Sequence, residues 1–193
     1  MNVTFHALAA AGIAHAAASR LEATRDGWFC RSDGWVLGSA VCLGVLSHGI
    51  LDGLKHGYPL RAALDVLVAG VLAVGWCLAV RRRFFLLFAG AMLASFAPDI
   101  MDLGPKMLRA ATGISTPLAG VAPLFPWHWP DGSGSMYPIL SAAPQRTRIL
   151  DAGQNLIVSW TNHLIVVVFA ASGIFMNPGV FRFSPPSLYR ARP

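Results

Sequence analysis

The stretch Leu46-Ser47-His48-Gly49-Ile50-Leu51-Asp52-Gly53-Leu54-Lys55-His56-Gly57 carries residue types and a spacing that could do chemistry. His48, Asp52 and His56 recur every four residues, so a helix stacks two imidazoles and a carboxylate along one face. The stretch closes an apolar run, where ionisable groups are expensive and mark function by default. Imidazole nitrogen and carboxylate oxygen together suit a divalent ion, zinc or manganese first. Such an ion makes a nucleophile of water near neutral pH, and two ions about 4 Å apart would also clamp a phosphoryl oxygen.

Other segments must complete the set. The candidate metal ligands are His6, His48, Asp52 and Asp99, with Asp99 following Pro98 directly. The candidate catalytic groups are Asp102 and His163; Asp102 is open to the roles of second ligand, outer orienter or base. Plainer roles fit the remaining polar residues. His56 and His128 read as interfacial hydrogen-bonding residues, and Trp127-His128-Trp129 as an interfacial anchor. His15 reads as structural, and Asp65 as a cap for its own helix or a partner for Arg61.

The elements that must position these groups are apolar runs. Hydrophobic residues make up 55% of the 193-residue chain and charged ones only 12%, about half the share usual in a soluble domain. Mean hydropathy is +0.55. These values predict an all-α integral membrane protein of one domain, with about five transmembrane helices at 3–19, 36–54, 62–80, 84–97 and 155–176. The fourth run is expected to stop at Pro98. Seven prolines between Leu103 and Gln154 exclude a continuous span there. That region, 98–154, is expected to be a long Pro- and aromatic-rich extracytoplasmic loop. It should hold a short helix near Lys106 to Thr112, with Phe125, Trp127, Trp129 and Tyr137 at the membrane surface. Residues 177–193 form a C-terminal tail.

The net charge of +6 does not point to nucleic acid, because the basic residues lie mainly between apolar runs and no nucleic-acid-binding signature accompanies them. Cys30, Cys42 and Cys77 form no CxxC pair and read as small apolar residues. Placing Arg81, Arg82 and Arg83 in the cytoplasm puts the Arg20–Arg31 linker and the tail arginines on the same side. The N-terminus is then outside and the C-terminus cytoplasmic. In this arrangement His6, His48, Asp52, His56, Asp65, Asp99, Asp102 and His128 gather at the outer ends, with His163 about two turns down its run.

Short segments resemble one known family. Thr4-Phe5-His6-Ala7-Leu8, Leu46-Ser47-His48-Gly49-Ile50-Leu51-Asp52, Phe96-Ala97-Pro98-Asp99-Ile100-Met101-Asp102 and Trp160-Thr161-Asn162-His163-Leu164 are similar to segments of the YdjM-like family of LexA-binding, inner-membrane-associated metal-dependent hydrolases. The Pro-Asp segment precedes the His-x-x-x-Asp segment in that family and follows it here. The resemblance implies a small helical protein of the bacterial inner membrane and metal-dependent hydrolysis, with His6, His48, Asp52, Asp99, Asp102 and His163 as site residues.

Two function classes follow. The first is a divalent-metal-dependent hydrolase acting on a phosphoester or other ester of an amphiphilic, lipid-like substrate, with the bilayer as its constant partner. The alternative is a non-enzymatic membrane subunit of a larger complex, binding a protein partner, pigment, haem or quinone through its intramembrane histidines. A proton or ion pathway ranks third.

Overall fold

A computed structural model of the chain describes residues 3–21, 33–53, 62–114, 117, 121–128 and 156–183. His56, Cys30, Trp129, Tyr137, Arg25, Arg31, Arg190 and Arg192 lie outside the described residues. Among the described residues there are six α-helices: α1 (Val3–Ala18), α2 (Gly34–Gly53), α3 (Ala62–Ala79), α4 (Arg82–Asp102), α5 (Gly104–Thr112) and α6 (Leu156–Met176). Among the described residues there is no strand, only an isolated antiparallel bridge between Val80 and Phe181. The all-helical class expected from composition is therefore present.

Two helices, Gly34–Asp52 and Arg82–Asp102, are long and apolar enough to cross a membrane; Val3–Ala18, Leu64–Ala79 and Trp160–Met176 are shorter apolar stretches. Five full-length spans are thus not met by helix length and hydropathy among the described residues. The fourth run also differs from expectation, because it does not stop at Pro98. The helix passes through the proline and continues one turn to Asp102, where the Leu103 N–H donates to the Asp99 carbonyl. A proline removes one backbone bond, that from its own nitrogen to the carbonyl four residues back. The rest of the ladder carries α4 on. As a result Asp99 and Asp102, three residues apart, ride one helical turn instead of a loop.

Helix α1 is the central staff and touches α2, α3, α4 and α6. Its alanines explain this: Ala7, Ala10, Ala11 and Ala14 are fully buried and let neighbouring backbones approach closely. Gly12 and Gly173 extend the fit to α6, since a Cβ on Gly173 would lie 2.7 Å from the His15 Cβ. Helices α2 and α4 also cross closely, backbone against backbone. A Cβ on Gly44 would lie 2.8 Å from the Ala91 backbone oxygen and 3.1 Å from the Ala94 Cβ.

Contacts along these pairs fix the helix directions. Gly90 meets Leu37 and Val41, Gly44 meets Ala91 and Ala94, and His48 meets Ser95, so α2 and α4 run parallel. Asp65 meets Val3 while Trp76 meets His15, so α1 and α3 run parallel; Phe5 on His163 and His15 against Gly173 set α6 the same way. His6 meets Ser95 while His15 meets Phe88, so α1 opposes α4. The starts of α1, α3 and α6 therefore share one end of the bundle with the finishes of α2 and α4.

Polar clamps hold both ends. At the shared end Asp65 caps α1 rather than its own helix: its carboxylate accepts the Val3 N–H (2.7 Å) and the Thr4 N–H (3.2 Å). Free N–H groups and the positive dipole end of α1 explain this choice, which sequence distance hides. At the other end the Arg83 guanidinium meets the Asp33 carboxylate at 2.7 Å. There the segment after α6 also clips onto the α3–α4 turn, with the Arg81 N–H on the Val180 carbonyl and the Arg182 N–H on that of Ala79.

Gly44 is a direct test of this packing. Gly44→Val should destabilise the protein by about 1–3 kcal/mol through overpacking against backbone. Gly38→Val, on the same helix with nothing within 4 Å, should be near neutral. Thermal unfolding of both variants in one detergent checks the contrast.

Candidate metal centre

The site begins with a peptide carbonyl. Ser95 lies one turn before Pro98 and is fully buried. Its carbonyl accepts a hydrogen bond from His48 Nδ1 at 2.7 Å, a contact that the bare approach at Gly44 permits. A carbonyl oxygen only accepts, so His48 carries its proton on Nδ1 and turns the other nitrogen, Nε2, inward. The Ser95 hydroxyl in turn donates to the His6 carbonyl at 3.1 Å. One residue of α4 thereby sets the height of both α1 and α2.

Asp102 makes the second arm. Its Oδ1 accepts the Leu124 N–H (2.7 Å) and its Oδ2 the Phe125 N–H (3.0 Å). Oδ2 also accepts a hydrogen bond from His128 Nδ1 at 2.9 Å. A carboxylate behind an imidazole is the usual outer partner of a metal-binding histidine, and it points His128 Nε2 at the centre. Trp127 closes the same loop over α2; a Cβ on Gly49 would lie 2.7 Å from its ring. So Gly49, next to His48, clears the seat for the residue beside His128.

Four donor atoms then converge. His48 Nε2 lies 3.2 Å from Asp52 Oδ2, 3.5 Å from Asp99 Oδ1 and 3.4 Å from His128 Nε2. His128 Nε2 lies 3.2 Å from Asp52 Oδ2 and 3.5 Å from Asp99 Oδ1. With metal–ligand bonds near 2.0–2.1 Å, a tetrahedral site has ligand–ligand edges of about 3.3 Å. Five of the six edges match that value, and all four atoms lie within 4.8 Å of one another. His48, Asp52, Asp99 and His128 can hold a metal ion.

The electrostatics point the same way. Burial works against the charged form of His128, but hydrogen bonds to the Asp52 and Asp102 carboxylates outweigh it and hold its pKa above the ordinary histidine value. A place that favours an imidazolium has a surplus of negative charge, which a divalent cation would also meet.

Of the sequence candidates, His48, Asp52 and Asp99 stand in the cluster. His6 lies beside it, with Nε2 3.3 Å from Asp52 Oδ1 and its ring stacked on His48 (centroids 4.0 Å apart, planes at 12°). Asp102 stands behind His128. His163 packs its ring on Phe5, 4.0 Å between centroids, and is not among the four converging residues. His128 is the residue that sequence reasoning passed over as an anchor. It sits in a proline-framed 3-10 turn, Pro126–His128, where no periodicity says which way a side chain faces. Asp102, the carboxylate left over from the α2–α4 set, was the available hint.

No family model matches the chain, and no curated protein or solved structure matches it. The site therefore stands on its own geometry.

The role of Asp102 is open to direct measurement. Asp102→Asn should leave one metal-binding equivalent in place but weaken zinc affinity about ten- to hundredfold, as loss of an outer-sphere partner does. Competition with a chromophoric chelator reads the change.

Proposed function

We propose that this chain is a membrane-embedded, divalent-metal-dependent hydrolase that cleaves a phosphoester or other ester of an amphiphilic substrate. The observation that carries the reading is the array of two imidazole nitrogens and two carboxylate oxygens, 3.2–3.5 Å apart along five edges, drawn from α2, α4 and one loop. Two nitrogen and two oxygen donors suit zinc, with manganese the next choice. A divalent ion held there would supply Lewis acidity, and a water-derived nucleophile near neutral pH where the open side at Asp52 and Asp99 leaves room for a further ligand. Asp52 and Asp99 are the partly open members, so substrate approaches from their side. Resemblance of the His6, His48–Asp52 and Asp99–Asp102 segments to the YdjM-like hydrolases agrees with this assignment.

Bilayer residence is supported by the outward faces. Leu67, Val71, Val74 and Leu78 of α3 are 60–65% exposed in one helical stripe, and α6 shows Leu164, Ile165, Val168 and Phe175. Apolar surface on this scale fits lipid better than water. On that ground α1, α3 and α6 join α2 and α4 as membrane elements, giving five. Arg81, Arg82, Arg83 and Arg182 then belong to the cytoplasmic end, with the metal centre at the opposite, extracytoplasmic end. The centre lies at headgroup depth, beside α5, whose exposed Lys106 and Arg109 suit an anionic headgroup. An ester bond in a lipid-like molecule sits at that depth.

The alternative is a non-enzymatic membrane subunit. A closed set of four protein donors is what structural zinc sites use, whereas catalytic sites keep a position open, and the bare faces of α3 and α6 suit partner helices.

Elemental analysis of the detergent-purified protein, beside Asp52→Asn, separates these. The expected result is about one equivalent of metal, lost in Asp52→Asn, together with chelator-sensitive hydrolysis of a phosphoester lipid that falls at least about a hundredfold in the variant. Bound metal without hydrolysis of any ester favours the subunit. A folded wild type that takes up neither zinc nor manganese removes the metal reading.

A further inference from the structure

His6 is as close to Asp52 as the cluster residues are, yet its geometry differs from theirs. We infer that His6 is a positioning residue rather than a ligand: it holds Asp52 Oδ1 from outside, so that Asp52 offers the metal only Oδ2. The inference rests on the metal reading above and assigns a role within it.

Three observations carry it. The two oxygens of Asp52 face different ways. Oδ2 lies 3.2 Å from both His48 Nε2 and His128 Nε2, whereas Oδ1 lies 3.3 Å from His6 Nε2. Second, the His6 ring lies face to face with that of His48, centroids 4.0 Å apart and planes at 12°. An imidazole binds a metal in its own ring plane, along the nitrogen lone pair. Two stacked, nearly parallel rings with centroids 4.0 Å apart direct their lone pairs along separate planes, so His6 and His48 do not both aim at one ion. His48 and His128, by contrast, cross at 82°, as two ligands of one tetrahedral ion can.

Third, the His6 backbone is held by groups other than the four converging donors. Its carbonyl accepts the Ser95 hydroxyl, and the turn before it is pinned by Asp65 on the Val3 and Thr4 N–H groups. The ring is wholly buried. With Nε2 protonated it donates to Oδ1, which leaves Oδ2 the oxygen that faces the other two imidazoles. Holding one oxygen of a ligating carboxylate fixes its orientation and restricts it to one-oxygen binding.

The test uses the full-length protein in detergent, loaded with zinc. X-ray absorption at the zinc edge should count two imidazoles in the wild type, and the same two in His6→Leu. Zinc affinity in His6→Leu should fall about ten- to hundredfold. His6→Gln, which returns an N–H donor near the Nε2 position, should recover most of it. Three imidazoles on zinc in the wild type would overturn the inference while leaving the metal reading intact. Unchanged affinity in a folded His6→Leu would do the same. If His6→Leu does not fold, the wild-type imidazole count and the His6→Gln affinity still decide. A wild type that takes up no zinc overturns the metal reading itself, and this inference with it.

Discussion

The hydrogen bond from His48 Nδ1 to the Ser95 carbonyl is the contact on which the rest of the centre depends. It needs α2 and α4 closer than two ordinary side chains allow, which is why Gly44 faces the Ala91 backbone. It also assigns the imidazole proton to the outside of the cluster, so that a lone pair faces in. The Ser95 hydroxyl adds α1 to the same point through the His6 carbonyl. A single buried residue, one turn before a helical proline, therefore sets the register of three helices.

Charge balance explains the remainder of that end. Asp52, Asp99 and Asp102 sit near the bundle end, partly or wholly out of water, and each must be met by donors or cations. Asp102 is met by two backbone N–H groups and His128, and it recruits the loop in doing so. Asp65 is met by the start of α1. Asp52 and Asp99 share the imidazoles of His48 and His128, and Asp52 is met by His6 as well. Where His48 and His128 serve two carboxylates, a divalent ion could complete the balance; where backbone donors suffice, the carboxylate is structural. The difference between a site residue and a cap is therefore a matter of which donors surround it.

The bundle separates its tasks by end. One end gathers the starts of three helices, the finishes of two and the loop that carries His128. The other is closed by apolar and backbone contacts, the Val80–Phe181 bridge and the buried Arg83–Asp33 pair. Fixing the far end with covalently distant contacts leaves the near end free to be polar. His15 belongs to the closed end: fully buried, it packs against Phe88 and Phe181, and its Nε2 accepts the Trp76 indole N–H.

Several of these features were legible in the sequence, because they depend on local spacing. His48 and Asp52 share a face at i and i+4, the apolar runs give the helices, and alternation of those runs places His48, Asp52, Asp65 and Asp99 at one end. Other features required tertiary structure. Whether Pro98 ends α4 or is carried through depends on neighbouring helices. The partner of Asp65 is 61 residues away in α1, and the imidazole that joins His48 is His128, 80 residues on in a loop without period. The His6 ring could be expected to lie near Asp52, but not to stack on His48. Spacing along one element fixes relative position within that element. The rotation of one helix against another, and the fold of a loop onto a carboxylate, are decided by packing and backbone hydrogen bonds that no local pattern records.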